Sequence, residues 1–180
     1  RQVERTWDIS LVARPYMEHL SQSTGASVML SICEGGSVIT LDQVEARDKL
    51  RIVSDAGARL PIYCTSQGKV FLAHMPRAEA ENLLRRQSMT QFTPHTITDV
   101  GALMREVDTC RENGFAIENG EYKIGLRSIS APVYTVERAV RYTVGVIGMF
   151  RSAHSDEFQD AVEQVCATAA MISAALGYRE

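Results

Sequence analysis

Residues able to do chemistry are concentrated in a few places along the chain. Thr65-Ser66-Gln67-Gly68-Lys69 follows Pro61 and Cys64 and reads as the start of a helix, with Thr65 as its N-cap. The amides of Ser66, Gln67 and Gly68 then have no intrahelical acceptor, and Gly68 brings no side chain to obstruct approach. Such a helix start favours a small anion, often a carboxylate. The plainer alternative is an ordinary capped helix whose amides face water. A phosphate loop is excluded, because it needs Gly five positions before its last Gly and Ser or Thr after the Lys, places held here by Tyr63 and Val70.

Glu118 and Glu121, separated by Asn119-Gly120, are the second candidate. Two carboxylates suit acid–base work, but Asn-Gly beside acidic residues is also a turn signal, and one of the two lining a binding site is the alternative role. Cys64 beside a helix start is positioned for a lowered thiol pKa, yet none of His19, His74, His95 and His154 lies near it in sequence. Cys33, Cys64, Cys110 and Cys166 are scattered, with no C-x-x-C and no His at ligand spacing, so neither a metal nor a disulfide framework is expected. No catalytic residue and no cofactor is assigned.

Two later segments add a third place. Period two sets Leu126, Ser128 and Ser130 on one face of a strand, and Thr143, Gly145, Ile147 and Met149 on one face of another. Gly145 marks either close approach of a ligand or a bulge. Arg127 faces away from Ser128, toward the surface.

These residues sit in a chain of 180 residues, 45% hydrophobic and 23% charged, the composition of one domain able to bury its own core. The longest apolar stretches, such as Val144 to Phe150, are far below the ~20 residues needed to span a bilayer, which leads us to expect a soluble chain, and the scattered cysteines point to a reducing compartment, the cytoplasm. A formal charge of −3 is the wrong sign for a phosphate-holding surface, and the Arg47, Lys49, Arg51 and Arg59 group is broken by Asp48 and Asp55. The chain opens at Arg1 without Met or a signal pattern, which leads us to expect a start inside a longer polypeptide.

The pattern predicts a helix over Leu11 to Thr24 closed by Gly25, then a hairpin of Ala26 to Cys33 and Val38 to Val44 around Glu34-Gly35-Gly36-Ser37. A third strand is expected at Leu50 and Ile52. Helices follow after Thr65, from Pro76 and from Thr98, the last stopped by Asn113-Gly114. Strands at Phe115 to Ile117, Leu126 to Val136 and Tyr142 to Phe150 precede a final helix opened by Ser155, with Phe158, Val162, Val165, Ala169, Ile172 and Leu176 as its stripe. The order is that of an α+β antiparallel sheet with helices packed on it.

Gly57 to Ala73 resembles the signature G-x-x-L-P-x-x-x-(S/T)-x-x-G-K-x-x-L-A of the effector-binding domain of IclR-type transcriptional regulators. Thr96-Ile97-Thr98-Asp99, Arg111 to Ala116, Glu121 with Gly125, and Ala131-Pro132-Val133 follow in the family's order, so the resemblance covers essentially the whole chain. It implies a GAF-like (profilin-like) curved antiparallel sheet holding a pocket for a small organic acid. It implies one sensing domain over residues 1–180, without enzymatic activity, and no membrane contact. It further implies a homodimer or homotetramer, and DNA contact only through an N-terminal winged helix-turn-helix domain that this sequence does not contain. By this resemblance Ser66 and Gln67, with Gly68, receive the carboxylate, Glu118 is the pocket acid, and Leu126, Leu60 and Ile52 form apolar wall. Ser128 is a polar wall position, while Gly145 and Ile147 replace two serines. That replacement gains space and apolar surface, which points to an aromatic or otherwise apolar acid, and Glu118 to one bearing a hydroxyl. Two rivals stand beside it: a GAF-like enzyme or thiol redox sensor using Cys64 or Cys33, and a dimerisation module whose pocket is filled by side chains.

Overall fold

The computed structural model describes residues 2–46 and 57–180, with side chains from residue 9 onward. The expected strand at Leu50 and Ile52, and Arg47, Lys49 and Arg51, lie outside the described residues. The elements run α1 Gln2–Thr24, β1 Ser27–Glu34, β2 Ser37–Val44, β3 Arg59–Pro61, α2 Ser66–Ala73, α3 Arg77–Arg86, α4 Val100–Asn113, β4 Ala116–Asn119, β5 Arg127–Tyr134, β6 Val140–Gly148 and α5 Asp156–Ala175. The α+β reading holds. The strands form one six-stranded antiparallel sheet in the order β3-β2-β1-β6-β5-β4, so the first and last strands meet at its centre.

Most boundaries follow the local chemistry. Ser155 caps α5 through a bond from the Phe158 amide, and Asp99 caps α4 through one from Ala102. The cap of α4 therefore falls one residue after the expected Thr98, because the Asp99 carboxylate is the side chain that reaches back. Pro76 is the residue before α3 rather than its first. Helix α1 begins well before Leu11, and Pro15 is accommodated inside it.

The sheet divides two apolar clusters. One joins Val28, Leu30, Ile129, Val133, Val144 and Val146 to α1 and α5; the other joins Val38 and Ala116 to α2, α3 and α4. Period two in the strands produces this partition, since alternate residues face opposite layers. The two layers differ in polarity. On the α2 side, Ser31 pairs across the sheet with Thr40 on one neighbour and Thr143 on the other. All three are buried and their hydroxyls have no hydrogen-bond partner.

Two glycines set how closely this layer packs. A Cβ on Gly68 would lie 1.9 Å from the carbonyl oxygen of Ile62, and one on Gly145 would lie 2.5 Å from that of Ile129 and 2.2 Å from Ser130 Oγ. Backbone carbonyls cannot yield as a flexible side chain would. Gly68→Ala and Gly145→Ala are each expected to lower unfolding free energy by about 2–3 kcal/mol in urea denaturation. Thr143→Val, which removes an orphaned hydroxyl at constant shape, is expected to raise it by about 1 kcal/mol.

Candidate functional site beneath helix α2

The site is built on the tight return of the chain from β3 into α2. Thr65 has extended backbone angles, its Oγ1 accepts from the Gly68 amide at 3.2 Å, and it donates to the Pro61 carbonyl at 2.7 Å. The missing side chain of Gly68 lets the helix rest on Ile62. All eight residues of α2 are buried. Ser66 Oγ lies 2.7 Å from Ser130 Oγ, which pins the first turn to β5. Gln67 donates through Nε2 to Met29 Sδ at 3.4 Å.

Lys69 is the next residue on this helix, only 1% exposed. Its Nζ lies 2.9 Å from Glu121 Oε2 and donates to the Ile117 carbonyl at 3.1 Å, with Glu106 at 3.6 Å. Glu121 Oε2 also accepts from the Asn119 amide at 3.0 Å. One ammonium thus joins α2, α4, β4 and the turn after β4. A cation and an anion out of water persist only when so paired.

Glu118 stands at the other side of that turn. Its Oε2 accepts from the Glu121 amide at 2.7 Å and its Oε1 from Ser128 Oγ at 3.1 Å. Burial pushes its pKa up to about 7, helped by the charge of Glu121 and opposed by those two hydrogen bonds and by Lys69. The Glu118–Glu121 segment is therefore both a turn and a buried carboxylate cluster, the two readings the sequence left open.

Between these groups lies a cavity of about 30 Å³ lined by Met29, Leu60, Thr65, Gln67, Glu118, Tyr122, Lys123, Leu126, Ser128 and Ile147. Six residues singled out from sequence are brought together there: Leu60, Gln67, Glu118, Leu126, Ser128 and Ile147. Three others support the wall without lining it. Ser66 is spent on Ser130, Gly68 on the close approach of Ile62, and Gly145 on that of β5. The expected gain of pocket space at Gly145 is thus corrected, since Ser130 and the Ile129 backbone fill that volume. Ile52 lies outside the described residues.

The chain matches the family model described as bacterial transcriptional regulator IclR C-terminal over residues 2–174. It belongs to that family. Its relatives include the HTH-type transcriptional repressor AllR of Escherichia coli K12, 28% identical over 96% of this chain, and that of Klebsiella pneumoniae, 30% identical over 96%. The chain spans 64% of the E. coli relative's length and 63% of the Klebsiella one. Among solved structures, the IclR of Thermotoga maritima superposes with TM-score 0.90 at 28% identity, covering 98% of this chain and 71% of that one. The C-terminal domain of E. coli KdgR gives 0.84 at 28%, covering 95% and 99%. An IclR homologue from Microbacterium hydrocarbonoxydans, described as complexed with 4-hydroxybenzoate, shares the fold with TM-score 0.86 at 23% identity, covering 96% and 69%. The sheet is accordingly the curled GAF-like half-barrel of IclR C-terminal domains, whose relatives are repressors rather than enzymes.

Within this IclR C-terminal domain, sequence reasoning missed Met29, Thr65, Tyr122 and Lys123 as lining residues. Tyr122 and Lys123 occupy the loop between Gly120 and Gly125, both at positive φ, and that pair of turn signals was the available clue. Met29 pairs with Gly145 across the sheet, which no local pattern reveals. Arg127 is half-buried, donating to Asn119 Oδ1 at 2.7 Å and to the Phe150 carbonyl at 2.6 Å. The thiol reading fails on electrostatics: burial, then Glu118 and Glu121, push Cys64 up to about 12, and burial raises Cys33 as well. Among the described residues no group could hold a metal, and no helix is long and apolar enough to cross a membrane.

Lys69→Met leaves Glu121 buried without its cation, and about 3–5 kcal/mol of unfolding free energy should be lost. Glu118 is a carboxylate whose folded pKa lies above its unfolded value of 4.5, so the folded state binds the extra proton. The stability it confers is complete below pH 4.5 and is lost as pH rises to about 7. Glu118→Gln should remove that loss, gaining up to about 3 kcal/mol relative to wild type at pH 8, read from urea denaturation at pH 5 and 8.

Proposed function

We propose that this domain senses a small organic carboxylate, bound in the cavity beneath α2, on behalf of a transcriptional regulator. The observation that carries the reading is the polarity of the cavity. Its body is apolar, from Met29, Leu60, Leu126 and Ile147, while polar groups converge on it from Gln67 at the start of α2 and from Glu118 with Ser128. Exposed Lys123 adds a cation among the lining residues. This is the composition of a ligand site: an apolar wall with a few polar groups that fix orientation.

The ligand's carboxylate belongs at the first turn of α2, where Thr65 and Gln67 line the cavity, and near Lys123, away from Glu118. Glu118, with its pKa near neutrality, pairs with a hydroxyl on the ligand, either accepting or donating. A hydroxylated acid with an apolar or aromatic body follows, its apolar preference now resting on Ile147 and Leu126 rather than on Gly145. The Microbacterium homologue supports the idea that this fold houses a hydroxylated aromatic acid. A cavity of about 30 Å³ does not admit a ring, so Leu60 or the Tyr122–Lys123 turn must give way on binding.

The names of the relatives carry the helix-turn-helix and the repressor role, and we assign DNA reading to a winged helix-turn-helix N-terminal to this domain. The regulator then works in the bacterial cytoplasm as a homodimer or homotetramer, and its ligand acts by binding two arrangements of the domains unequally. A ligand-free dimerisation module is the second reading, favoured by the small cavity.

Thermal melting of the 180-residue chain against oxoacids, dicarboxylates and hydroxybenzoates tests both. An acid present at 100 times its dissociation constant should stabilise by about 2.7 kcal/mol, with the gain reduced at least ten-fold in affinity by Gln67→Leu. Unchanged melting across the whole panel supports the dimerisation module instead.

A further inference from the structure

Leu60 and Tyr122 line a second hollow as well as the cavity. This outer cleft measures about 490 Å³ and opens to solvent between the β1–β2 turn, β3 and the loop after α3. Its wall includes Phe92, 44% exposed, whose ring meets Tyr122 edge-on at 4.9 Å and stacks on Tyr63 at 6.3 Å. Tyr63 is held in turn by its hydroxyl on the Thr90 carbonyl at 2.8 Å, so the platform is braced from behind. A large aromatic side chain left nearly half in water, while its neighbours hold it in place, presents a binding surface.

The same cleft is lined by Arg59, whose side chain is 57% exposed. Its guanidinium reaches Glu34 only at 3.7 Å and that residue's carbonyl at 3.5 Å. Both contacts are long for a charged pair, and a guanidinium carries five donors arranged to grip a carboxylate with two at once. An aromatic platform and an under-used guanidinium on one cleft select a planar ring bearing an anion.

Size separates the two hollows. A cavity of about 150 Å³ is enough for benzene, so the outer cleft takes a monocyclic acid as it stands while the inner one does not. We infer that the outer cleft is a second ligand subsite, for an aromatic carboxylate whose ring lies on Phe92 and Tyr122 and whose carboxylate meets Arg59. The inference extends the sensor reading: Leu60 and Tyr122 form the partition between an outer place for the ring and the inner polar cavity.

The probe is benzoate, titrated by calorimetry and by amide-detected NMR into the 180-residue chain and into Arg59→Gln, Phe92→Ala and Gln67→Leu. Benzoate affinity should fall about ten-fold in Arg59→Gln and in Phe92→Ala, remain unchanged in Gln67→Leu, and shift the amides of Ser37 and Ser88. Arg59 is an exposed side chain, so its variant keeps the test informative if Phe92→Ala disturbs the fold. Benzoate binding that survives Arg59→Gln but is lost in Gln67→Leu places the ring in the inner cavity; this overturns the second subsite and leaves the sensor reading standing. Absence of any benzoate binding at millimolar concentration also overturns it.

Discussion

The arrangement depends on one buried ammonium. Lys69 sits on a helix with no exposed residue, and its nitrogen is satisfied only because Glu121, the Ile117 carbonyl and Glu106 come to it from three other elements. An unpaired ammonium at that depth costs several kcal/mol, so α2 can occupy its place only if β4 and its turn occupy theirs. The turn held by Glu121 also carries Glu118, whose oxygen takes the Glu121 amide. Positioning the cavity's carboxylate and seating the helix above it are therefore one event. Gly68, one residue before, sets the depth at which the ammonium arrives, since any side chain there would strike Ile62.

This coupling explains how Glu118 is kept at a pKa near 7. Lys69 alone would hold a neighbouring carboxylate ionised, but its close contact is with Glu121 rather than Glu118. Glu118 therefore feels burial first, and the negative charge of Glu121 adds to it. Glu121 is the carboxylate that meets the cation, while Glu118, on the same turn, has its pKa pushed up to about 7, chiefly by burial.

Much of this was legible along the chain where the chemistry is local. Thr65 and Ser155 cap the helices they announce, Asp99 takes the place expected of Thr98, and the alternation Leu126-x-Ser128 and Gly145-x-Ile147 placed wall residues on neighbouring strands. The features that escaped are those made by pairs distant in sequence. Lys69 and Glu121 are 52 residues apart, and a lysine in an apolar run announces a buried partner without naming it. The same reason defeated the reading of Gly145. Its lack of a side chain was visible, but the occupant of the vacated space, Ser130, is known only once β5 and β6 are in register.

The sheet's two faces are not equivalent in finish. Toward α1 and α5 its side chains are valine, leucine, isoleucine and alanine, the residues that pack without polar debts. Toward α2 the central strands carry Ser31, Thr40 and Thr143 with hydroxyls that bond to nothing, alongside a charged pair and a titrating acid. A buried hydroxyl left without a partner costs about 1–3 kcal/mol, so this layer carries a polar burden that the α1–α5 layer of the sheet does not. Local opening in a protein starts where stability is least, and under the proposed function the cavity of about 30 Å³ must open to admit an organic acid. Under that proposal the layer that moves is the one that carries these buried polar groups, while the α1–α5 layer packs apolar residue on apolar residue.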